Sequence, residues 1–321
     1  MKNPIIQTFE LTKIFDNKTL AVNKLNITVH KGIYGFLGPN GAGKTTTIKM
    51  LIGSLNPTSG EIEIFGKNIT SNEKINIHNL IGYVPENPTY FVEMTAEKLL
   101  KYIGSIFHMS KQEINSRISH LLKLVELTDA KYRKIAKFSA GMKQRIGIAQ
   151  ALMNDPELLI LDEITANLDP LGRNQMIDLL KDLRQDGKTM LISTHILPEV
   201  QKMSADSIGI INQGNLIMEG STQELNERLG TKMIRISPNN SLFRDSLKPI
   251  VSKIEEDADS LIIEANDVKQ VWTTIAQISL KNNVVVNEFR LTGLEIENIF
   301  MKALEKDNKN VELKNNENAE F

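Results

Sequence analysis

The chain has 321 residues, a length that fits about two domains and allows a sizeable hydrophobic core. Its 38 lysine and arginine residues almost balance 39 aspartate and glutamate residues, so the net charge of -1 gives no sign of a nucleic-acid-binding surface. The absence of cysteine excludes a disulfide scaffold and thiolate metal sites. Neither a secretion signal nor a run of 18 apolar residues is visible, so we expect an intracellular protein without a membrane span.

Short apolar runs alternate with helical patterns over the first two-thirds of the chain. Met176, Leu180 and Leu183, for example, recur at helical spacing ahead of Gly187, which is typical of a helix C-terminus. This alternation predicts an α/β fold with a largely parallel sheet covered on both faces. Residues from about 87 to 137 have helical pattern alone and predict an inserted helical subdomain. The runs that predict buried strands are residues 35–37, 81–84, 158–161, 189–193 and 208–211.

The segment from residue 38 to residue 45 fits the phosphate-binding pattern G-x-x-x-x-G-K-[ST], between a predicted strand and a predicted helix. Its glycines let backbone N–H groups point at phosphate oxygens, and the helix N-terminus adds partial positive charge. We expect Lys44 to reach the β and γ phosphates of a nucleoside triphosphate and the Thr45 hydroxyl to ligate Mg²⁺. The alternative is a glycine-rich turn with a surface lysine. The predicted nucleotide-binding residues are Gly38, Pro39, Asn40, Gly41, Ala42, Gly43, Lys44, Thr45 and Thr46.

A second motif is the apolar strand 158–161, which is followed by two carboxylates. Asp162 at the strand's C-terminal end is suited to bind Mg²⁺ through water, and Glu163 to polarise the attacking water. Acidic residues also end strands simply because they are solvated there. The phosphate-binding loop upstream favours the catalytic interpretation.

A second unit is predicted over residues 230–305, where strand and helix patterns follow in the order β-α-β-β-α-β plus a helix. This order is typical of a ferredoxin-like α+β domain. Strands are expected at 233–236, 261–263 and 284–286, and helices at 242–247, 268–280 and 294–304; residues 250–254 are ambiguous. The stretch 306–321, rich in Asn, Lys and Glu, predicts a disordered tail.

One further segment, residues 138–145, reads Phe-Ser-Ala-Gly-Met-Lys-Gln-Arg and precedes the strand that ends in Asp162. It resembles the signature Leu-Ser-Gly-Gly-Gln of the nucleotide-binding subunits of ATP-binding-cassette (ABC) transporters. The resemblance covers about residues 4–225, and the motifs stand in the family's order. It implies a P-loop ATPase core over residues 1–229, with ATP and Mg²⁺ as cofactors. The matching positions are Phe15 for the aromatic that stacks on adenine, residues 38–46 for the phosphate loop, 81–86 for the Q-loop, 139–144 for the signature, Asp162 and Glu163 for the metal strand, 167–169 for the D-loop and His195 for the switch histidine.

Ser139 also has the pattern of a helix N-cap, which puts a hydroxyl, the N–H of Gly141 and a positive helix end at one place. The resemblance implies that this place contacts the γ-phosphate bound to a second copy, or to a homologous subunit. The same resemblance assigns Asp169 to nucleotide contact, His195 to the γ-phosphate and to orienting Glu163, and three metal ligands: Thr45, Glu86 and Asp162. An isolated histidine is more often structural, and Phe15 alone could be a core residue; the motif order favours the functional roles.

Four positions depart from the commonest family pattern. Glu86 stands at the Q-loop glutamine, and a carboxylate accepts hydrogen bonds but cannot donate them as an amide does. Ala140 and Met142 replace the first Gly and the Gln of the signature, so its contact rests on Ser139 and backbone N–H groups. Ile164 replaces the proline after Asp-Glu. These departures bear on the rate of hydrolysis.

The leading functional prediction is the ATPase subunit of a bacterial exporter that works with a separate membrane permease. Residues 85–87, residues 141–145 and the extra C-terminal unit resemble that subgroup, which implies a cytoplasmic protein, peripheral on the inner face of the cell membrane. One alternative is a soluble ABC-type ATPase acting on a partner such as the ribosome, although no second cassette is present; another is a small-molecule kinase.

Residues 87–102 are predicted to receive a permease helix through the apolar patch 88–92. The alternative is that Tyr90 and Phe91 are core residues.

Overall fold

The computed structural model describes residues 3–16, 18–70, 79–221, 224–225, 232–265 and 267–292. The chain divides into two compact units, residues 1–219 and 220–321. The division falls about ten residues before the boundary at residue 230 that the sequence suggests.

The helices and strands described up to residue 220 are, in chain order, β1 (Ile6–Ile14), β2 (Leu20–Leu25), β3 (Thr28–Val29), β4 (Ile33–Leu37), α1 (Lys44–Leu51), β5 (Ser59–Ile64), β6 (Lys67–Asn68), β7 (Ile81–Val84), α2 (Ala96–Ile106), α3 (Lys111–Leu124), α4 (Ala140–Ala151), β8 (Leu158–Asp162), α5 (Pro170–Gln185), β9 (Thr189–Thr194), α6 (Leu197–Lys202), β10 (Ser207–Asn212) and β11 (Asn215–Gly220).

A six-stranded sheet in the order β11-β10-β4-β9-β8-β7 forms the centre of this unit. The pairs β10–β4, β4–β9, β9–β8 and β8–β7 are all parallel. Every residue of β4, β8 and β9 is buried, as expected for parallel strands covered on both faces. The predicted α/β fold with a largely parallel sheet is confirmed.

The first unit also contains an antiparallel sheet that the sequence analysis did not predict. Its described strands have the order β2-β1-β5-β6, with β3 pairing β1. Strand β1 pairs antiparallel with β2 and β5, and the register shifts along both pairs. These shifts break the regular alternation of buried and exposed residues, the pattern by which a strand is recognised in a sequence.

Helices α2, α3 and α4 pack around one apolar core beside the parallel sheet. Their starts follow from local capping. Thr95 caps α2, and Ser110 forms a capping box with Glu113 at the start of α3. Ser139 caps α4 by accepting a hydrogen bond from the N–H of Met142, as its sequence pattern predicts.

The carboxyl ends of the central strands bring the sequence motifs to one edge of the sheet. Leu37 at the end of β4 pairs with Thr194 at the end of β9, and Asp162 at the end of β8 pairs with Ser193. The phosphate loop, Glu163 and His195 each follow one of these ends. Parallel strands therefore place the three motifs side by side.

The described part of the second unit contains a four-stranded antiparallel sheet and the helices that pack on it. Its described elements are β12 (Lys232–Ser237), α7 (Ser241–Leu247), β13 (Lys253–Asp257), β14 (Ser260–Ala265), α8 (Val268–Asn282) and β15 (Glu288–Thr292). The strand order β13-β14-β12-β15 is that of a split β-α-β arrangement. Its core contains Ile234, Ile236, Phe243, Leu247, Leu261, Ile263, Ala265, Val271 and Ile275.

The prediction of a strand at 284–286 is wrong, because the last described strand is β15 at 288–292. Residues 284–286 instead follow the end of α8, where Ser279 Oγ donates a hydrogen bond to the carbonyl of Val284. Val284 and Val286 pack against the core without pairing to a strand, while Val285 is exposed. The ambiguous stretch 250–254 leads into β13. The helix predicted at 294–304 and the tail predicted at 306–321 lie outside the described residues.

Candidate nucleotide-binding site

The phosphate loop connects β4 to α1, and its glycines are required by the surrounding backbone. Gly43, the N-cap of α1, has φ +106°, and a Cβ there would lie 2.5 Å from the carbonyl oxygen of Ala21. A Cβ at Gly38 would lie 2.4 Å from the carbonyl oxygen of Ile211. No side chain caps the first turn of α1, so its N–H groups are available to an anion.

Lys44 is the first residue of α1 and is 5% exposed. Its Nζ donates hydrogen bonds to the carbonyl oxygens of Gly38 at 2.7 Å and Pro39 at 3.1 Å. The same ammonium lies 3.1 Å from Oε1 of Glu163, so the phosphate loop is ion-paired to the end of β8. A lysine in this position is not the solvated surface lysine of the alternative interpretation.

Glu163 is 6% exposed and has φ +50°, a left-handed conformation that is uncommon outside glycine. Its backbone N–H donates to the carbonyl and to the hydroxyl oxygen of Ser193, which fixes the backbone at this position. Its Oε2 lies 2.6 Å from Nδ1 of His195. Since a carboxylate only accepts hydrogen bonds, the ring nitrogen is the donor. The predicted contact between His195 and Glu163 is present.

Asp162, the last residue of β8, directly precedes Glu163 and is 1% exposed. The hydroxyl of Ser193 donates a 2.5 Å hydrogen bond to its Oδ1. Burial, and to a lesser extent the negative charge of Asp162, raises the pKa of Tyr83 to about 12. The buried carboxylate is therefore held by a hydroxyl on β9, a partner that the sequence analysis missed.

A cleft of about 460 Å³ lies over the phosphate loop. Glu86, Glu163 and His195 line it together with the loop residues Asn40, Gly41, Gly43, Lys44, Thr45 and Thr46. Of the other predicted loop residues, Gly38 and Pro39 provide carbonyls to Lys44, and Ala42 is buried, its carbonyl accepting from the N–H of Gly214. Sequence reasoning missed Thr19, Leu20, Ala21 and Gln213 in the cleft wall, since none belongs to a recognisable motif.

Phe15 is exposed and is not among the residues that line this cleft. Its backbone N–H donates to the carbonyl of Thr19, which does line it. The ammonium of Lys13 lies 5.5 Å from the centroid of the Phe15 ring. The stacking of adenine on Phe15 stays a prediction.

The signature residues form a different cleft, of about 560 Å³, between the start of α4 and the start of α5. Ser139, Ala140, Gly141 and Met142 line one side of it, and Asn167 and Asp169 lie on the other. Asp169 caps α5 by accepting from the N–H of Gly172 at 2.8 Å. This cleft and the cleft over the phosphate loop have no lining residue in common.

Two hydrogen bonds tie the Q-loop segment to the signature helix α4. The side-chain amide of Gln144 donates to the carbonyl of Glu86 at 2.9 Å. The hydroxyl of Tyr90 donates to the carbonyl of Lys143 at 2.8 Å, and burial raises the pKa of Tyr90. The two segments are thereby held together on one chain.

The fold and these two clefts define a P-loop ATPase of the cassette type. The sequence pattern of the family described as ABC transporter matches residues 22–166. The bacitracin transport ATP-binding protein BcrA of Bacillus licheniformis is 45% identical over 226 residues, which cover 70% of this chain and 72% of that protein. The chain belongs to the ABC transporter family, and it is an ATP-binding and ATP-hydrolysing subunit.

Two further comparisons extend this result. The daunorubicin/doxorubicin resistance ATP-binding protein DrrA of Streptomyces peucetius is 33% identical over 304 residues, covering 92% of this chain and 91% of that protein. A dimeric structure of a post-hydrolysis state of the ATP-binding cassette MJ0796, bound to ADP and Pi, has a TM-score of 0.61 and 25% identity, over 67% of this chain and 98% of that one. In the part of the chain that the structure describes, no helix is both long and apolar enough for a bilayer crossing.

Proposed function

We propose that this chain energises export through a separate membrane permease, at the cytoplasmic face of the cell membrane. Two similar proteins support the proposal by their names, one in bacitracin transport and one in daunorubicin/doxorubicin resistance. Both are described as ATP-binding proteins, which suits a subunit whose transport pathway is made by another chain. Neither name refers to the ribosome.

Within the site, Lys44, Glu163, His195 and Phe15 have distinct roles. Lys44 binds the β and γ phosphates of ATP, helped by the free N–H groups at the start of α1. Glu163 takes the proton of the attacking water, and His195 holds the Glu163 carboxylate in a fixed orientation through the 2.6 Å contact. Phe15 stacks on adenine, as the family resemblance implies.

Mg²⁺ fits the oxygen ligands at this position. Thr45 and Glu86 line the cleft, and the buried Asp162 directly precedes the cleft residue Glu163. All three side chains provide the oxygen ligands that Mg²⁺ prefers. No cluster of three histidine or carboxylate side chains that could hold a metal occurs within the described ranges. Mg²⁺ commonly keeps few protein ligands and takes the others from phosphate and water; bound here it would neutralise phosphate charge.

The composite site is supported by one observation: the phosphate loop and the signature line two separate clefts of the same chain. The signature cleft contains Ser139, Gly141 and Asp169, whereas Lys44 lines the other cleft. We infer that Ser139, Gly141 and Asp169 complete the site of a second copy, or of a homologous subunit, so that two chains enclose two ATP molecules. The dimeric cassette of similar fold supports this arrangement.

A mixing experiment tests the arrangement. Lys44→Ala removes phosphate binding and Ser139→Ala removes the signature hydroxyl, so each variant alone should hydrolyse ATP slowly. A mixed dimer contains one intact composite site, formed by the loop of the Ser139→Ala chain and the signature of the Lys44→Ala chain. We expect the mixture to recover activity. A mixture as inactive as its components would contradict a site shared between chains.

A further inference from the structure

Glu199 is a buried carboxylate that has no part in the site described above. It lies on α6, the short helix after His195, and is 1% exposed. Its Oε2 accepts hydrogen bonds from Thr165 Oγ1 at 2.6 Å and Thr194 Oγ1 at 3.0 Å. Its Oε1 lies 3.1 Å from Nε of Arg173. Three separate segments therefore meet at one carboxylate.

Each of these segments adjoins a functional residue. Thr194 directly precedes His195, and its hydroxyl also accepts from the N–H of Ile196, so the backbone on both sides of His195 is held. Thr165 lies between Glu163 and the D-loop. Arg173 is in the first turn of α5, where its backbone N–H donates to the carbonyl of Asp169. Glu199 thus joins the switch histidine to the segment that lines the signature cleft.

Burying the Glu199 carboxylate costs electrostatic free energy, so a contribution to folding stability does not explain this arrangement by itself. A buried charge requires full compensation, and a buried ion pair is weak evidence of stabilisation. Here the compensation is incomplete, because neither Oε1 of Glu199 nor Nε of Arg173 has a hydrogen bond of good geometry. A hydrophobic side chain of similar volume would avoid the penalty but could not bind both threonine hydroxyls.

We propose that Glu199 is a positioning residue for ATP hydrolysis, which fixes His195 relative to the D-loop segment through Thr194, Thr165 and Arg173. The D-loop segment lines the signature cleft through Asn167 and Asp169. When a second chain docks at that cleft, Glu199 transmits the position of the D-loop segment to His195, and His195 in turn transmits it to Glu163. The inference rests on the proposed composite site and adds the connection between its two halves.

The effect on kinetics follows from where Glu199 acts. None of its contacts is with the phosphate loop, so the affinity for ATP should be unchanged. Loss of the orientation of His195 should lower kcat instead. The expected reduction is about 10- to 100-fold, the size seen when a partner that orients a metal-binding histidine is removed.

The test compares two substitutions of one partner. Thr165→Val keeps the shape but removes the hydroxyl, whereas Thr165→Ser keeps the hydroxyl. Both are measured in the full-length chain for kcat and for ATP affinity, beside Glu199→Gln. We expect Thr165→Val and Glu199→Gln to lose kcat with ATP affinity unchanged, and Thr165→Ser to retain activity. If Glu199→Gln fails to fold, the Val and Ser pair decides by itself.

The matched control is Arg184→Met, because Arg184 lies on the same helix α5 as Arg173 and its ion pair with Asp206 lies away from the site. It should leave kcat unchanged. The inference is overturned if Thr165→Val keeps the wild-type kcat, if Thr165→Ser is as inactive as Thr165→Val, or if ATP affinity falls together with kcat. Glu163→Gln serves as reference: wild-type hydrolysis by that variant would instead contradict the proposed catalytic base.

Discussion

At the scale of single residues, Glu163 is held through both its side chain and its backbone. Its side chain contacts both the phosphate-binding lysine and the switch histidine, and its backbone has a left-handed conformation. At Glu163 the hydrogen bonds from its backbone N–H to Ser193 compensate for the strain of this conformation. Glu163 is therefore held in one orientation toward the phosphate loop.

Glu163→Gln should lower the rate of ATP hydrolysis by at least about 100-fold, because the amide keeps the size and hydrogen bonding of the side chain but cannot take a proton. The rate is measured by release of inorganic phosphate from Mg-ATP. Glu157→Gln is the matched control, since Glu157 is exposed and directly precedes the same strand β8. Wild-type hydrolysis by Glu163→Gln would direct attention to Glu86, the other carboxylate in the cleft wall.

At the scale of elements, the segment after the Q-loop contains one aromatic residue that packs against the core and one that is exposed. Tyr90 packs against the core, with its hydroxyl bonded to α4, whereas Phe91 is 59% exposed. The Phe91 ring meets the exposed ring of Tyr102 on α2 edge-on, with centroids 5.9 Å apart. Of the two aromatic residues considered from the sequence, only Phe91 has the exposure that contact with a permease requires.

Phe91→Ser should weaken coupling to the permease while ATP binding survives, because the change removes exposed apolar area outside the nucleotide cleft. The measurement is co-purification with the permease and transport by the reconstituted complex. Tyr132→Ser is the control, since Tyr132 is more exposed than Phe91 and lies outside residues 87–102. Cross-links from the permease to the opposite face of the subunit would contradict the prediction.

The elements that could be predicted are those whose signal is local. Strands β4, β8 and β9 are fully buried and read as continuous apolar runs, and Ser139 and Asp169 cap their helices through neighbours three residues away. The same holds for the phosphate loop, which is one contiguous motif. Val284–Val286 is the exception, because an apolar run can cover a core without pairing to a strand.

Contacts that join distant segments could not be predicted. Ser193 supports both Asp162 and Glu163, yet a serine inside a buried strand has no distinctive pattern. Glu199 has the same difficulty, since its partners come from β9, from α5 and from the stretch that connects β8 to α5. Such partners follow from strand register, which a single sequence does not specify.

At the scale of the whole molecule, ATP should control assembly. Glu163→Gln should accumulate as an ATP-bound dimer, since binding is kept and hydrolysis is lost; Lys44→Ala should stay monomeric, since phosphate binding is weakened. Size-exclusion chromatography with ATP and Mg²⁺ measures both, with the permease present in case the isolated subunits associate weakly. A monomeric Glu163→Gln in complex with the permease would argue against ATP-driven closure.

The second unit should be dispensable for nucleotide binding. All described residues that line the nucleotide cleft belong to the first unit, from Thr19 to Gln213. A chain ending near residue 230 should therefore bind ATP with unchanged affinity, measured by titration of a fluorescent nucleotide. The same shortened chain with Lys44→Ala is the control that loses binding. Complete loss of affinity in a folded shortened chain would assign the second unit to the site.

The strand order of the central sheet has a consequence for biosynthesis. Strand β4, which leads into the phosphate loop, lies between β9 and β10 and pairs with both. The ribosome makes β4 early, but its neighbours end only at residues 194 and 212. At about 5–20 residues per second, the first of the three strands waits on the order of 10–30 s for the last. A nascent chain that ends before residue 212 lacks part of β10, so one edge of the apolar strand β4 stays without its full partner during that interval.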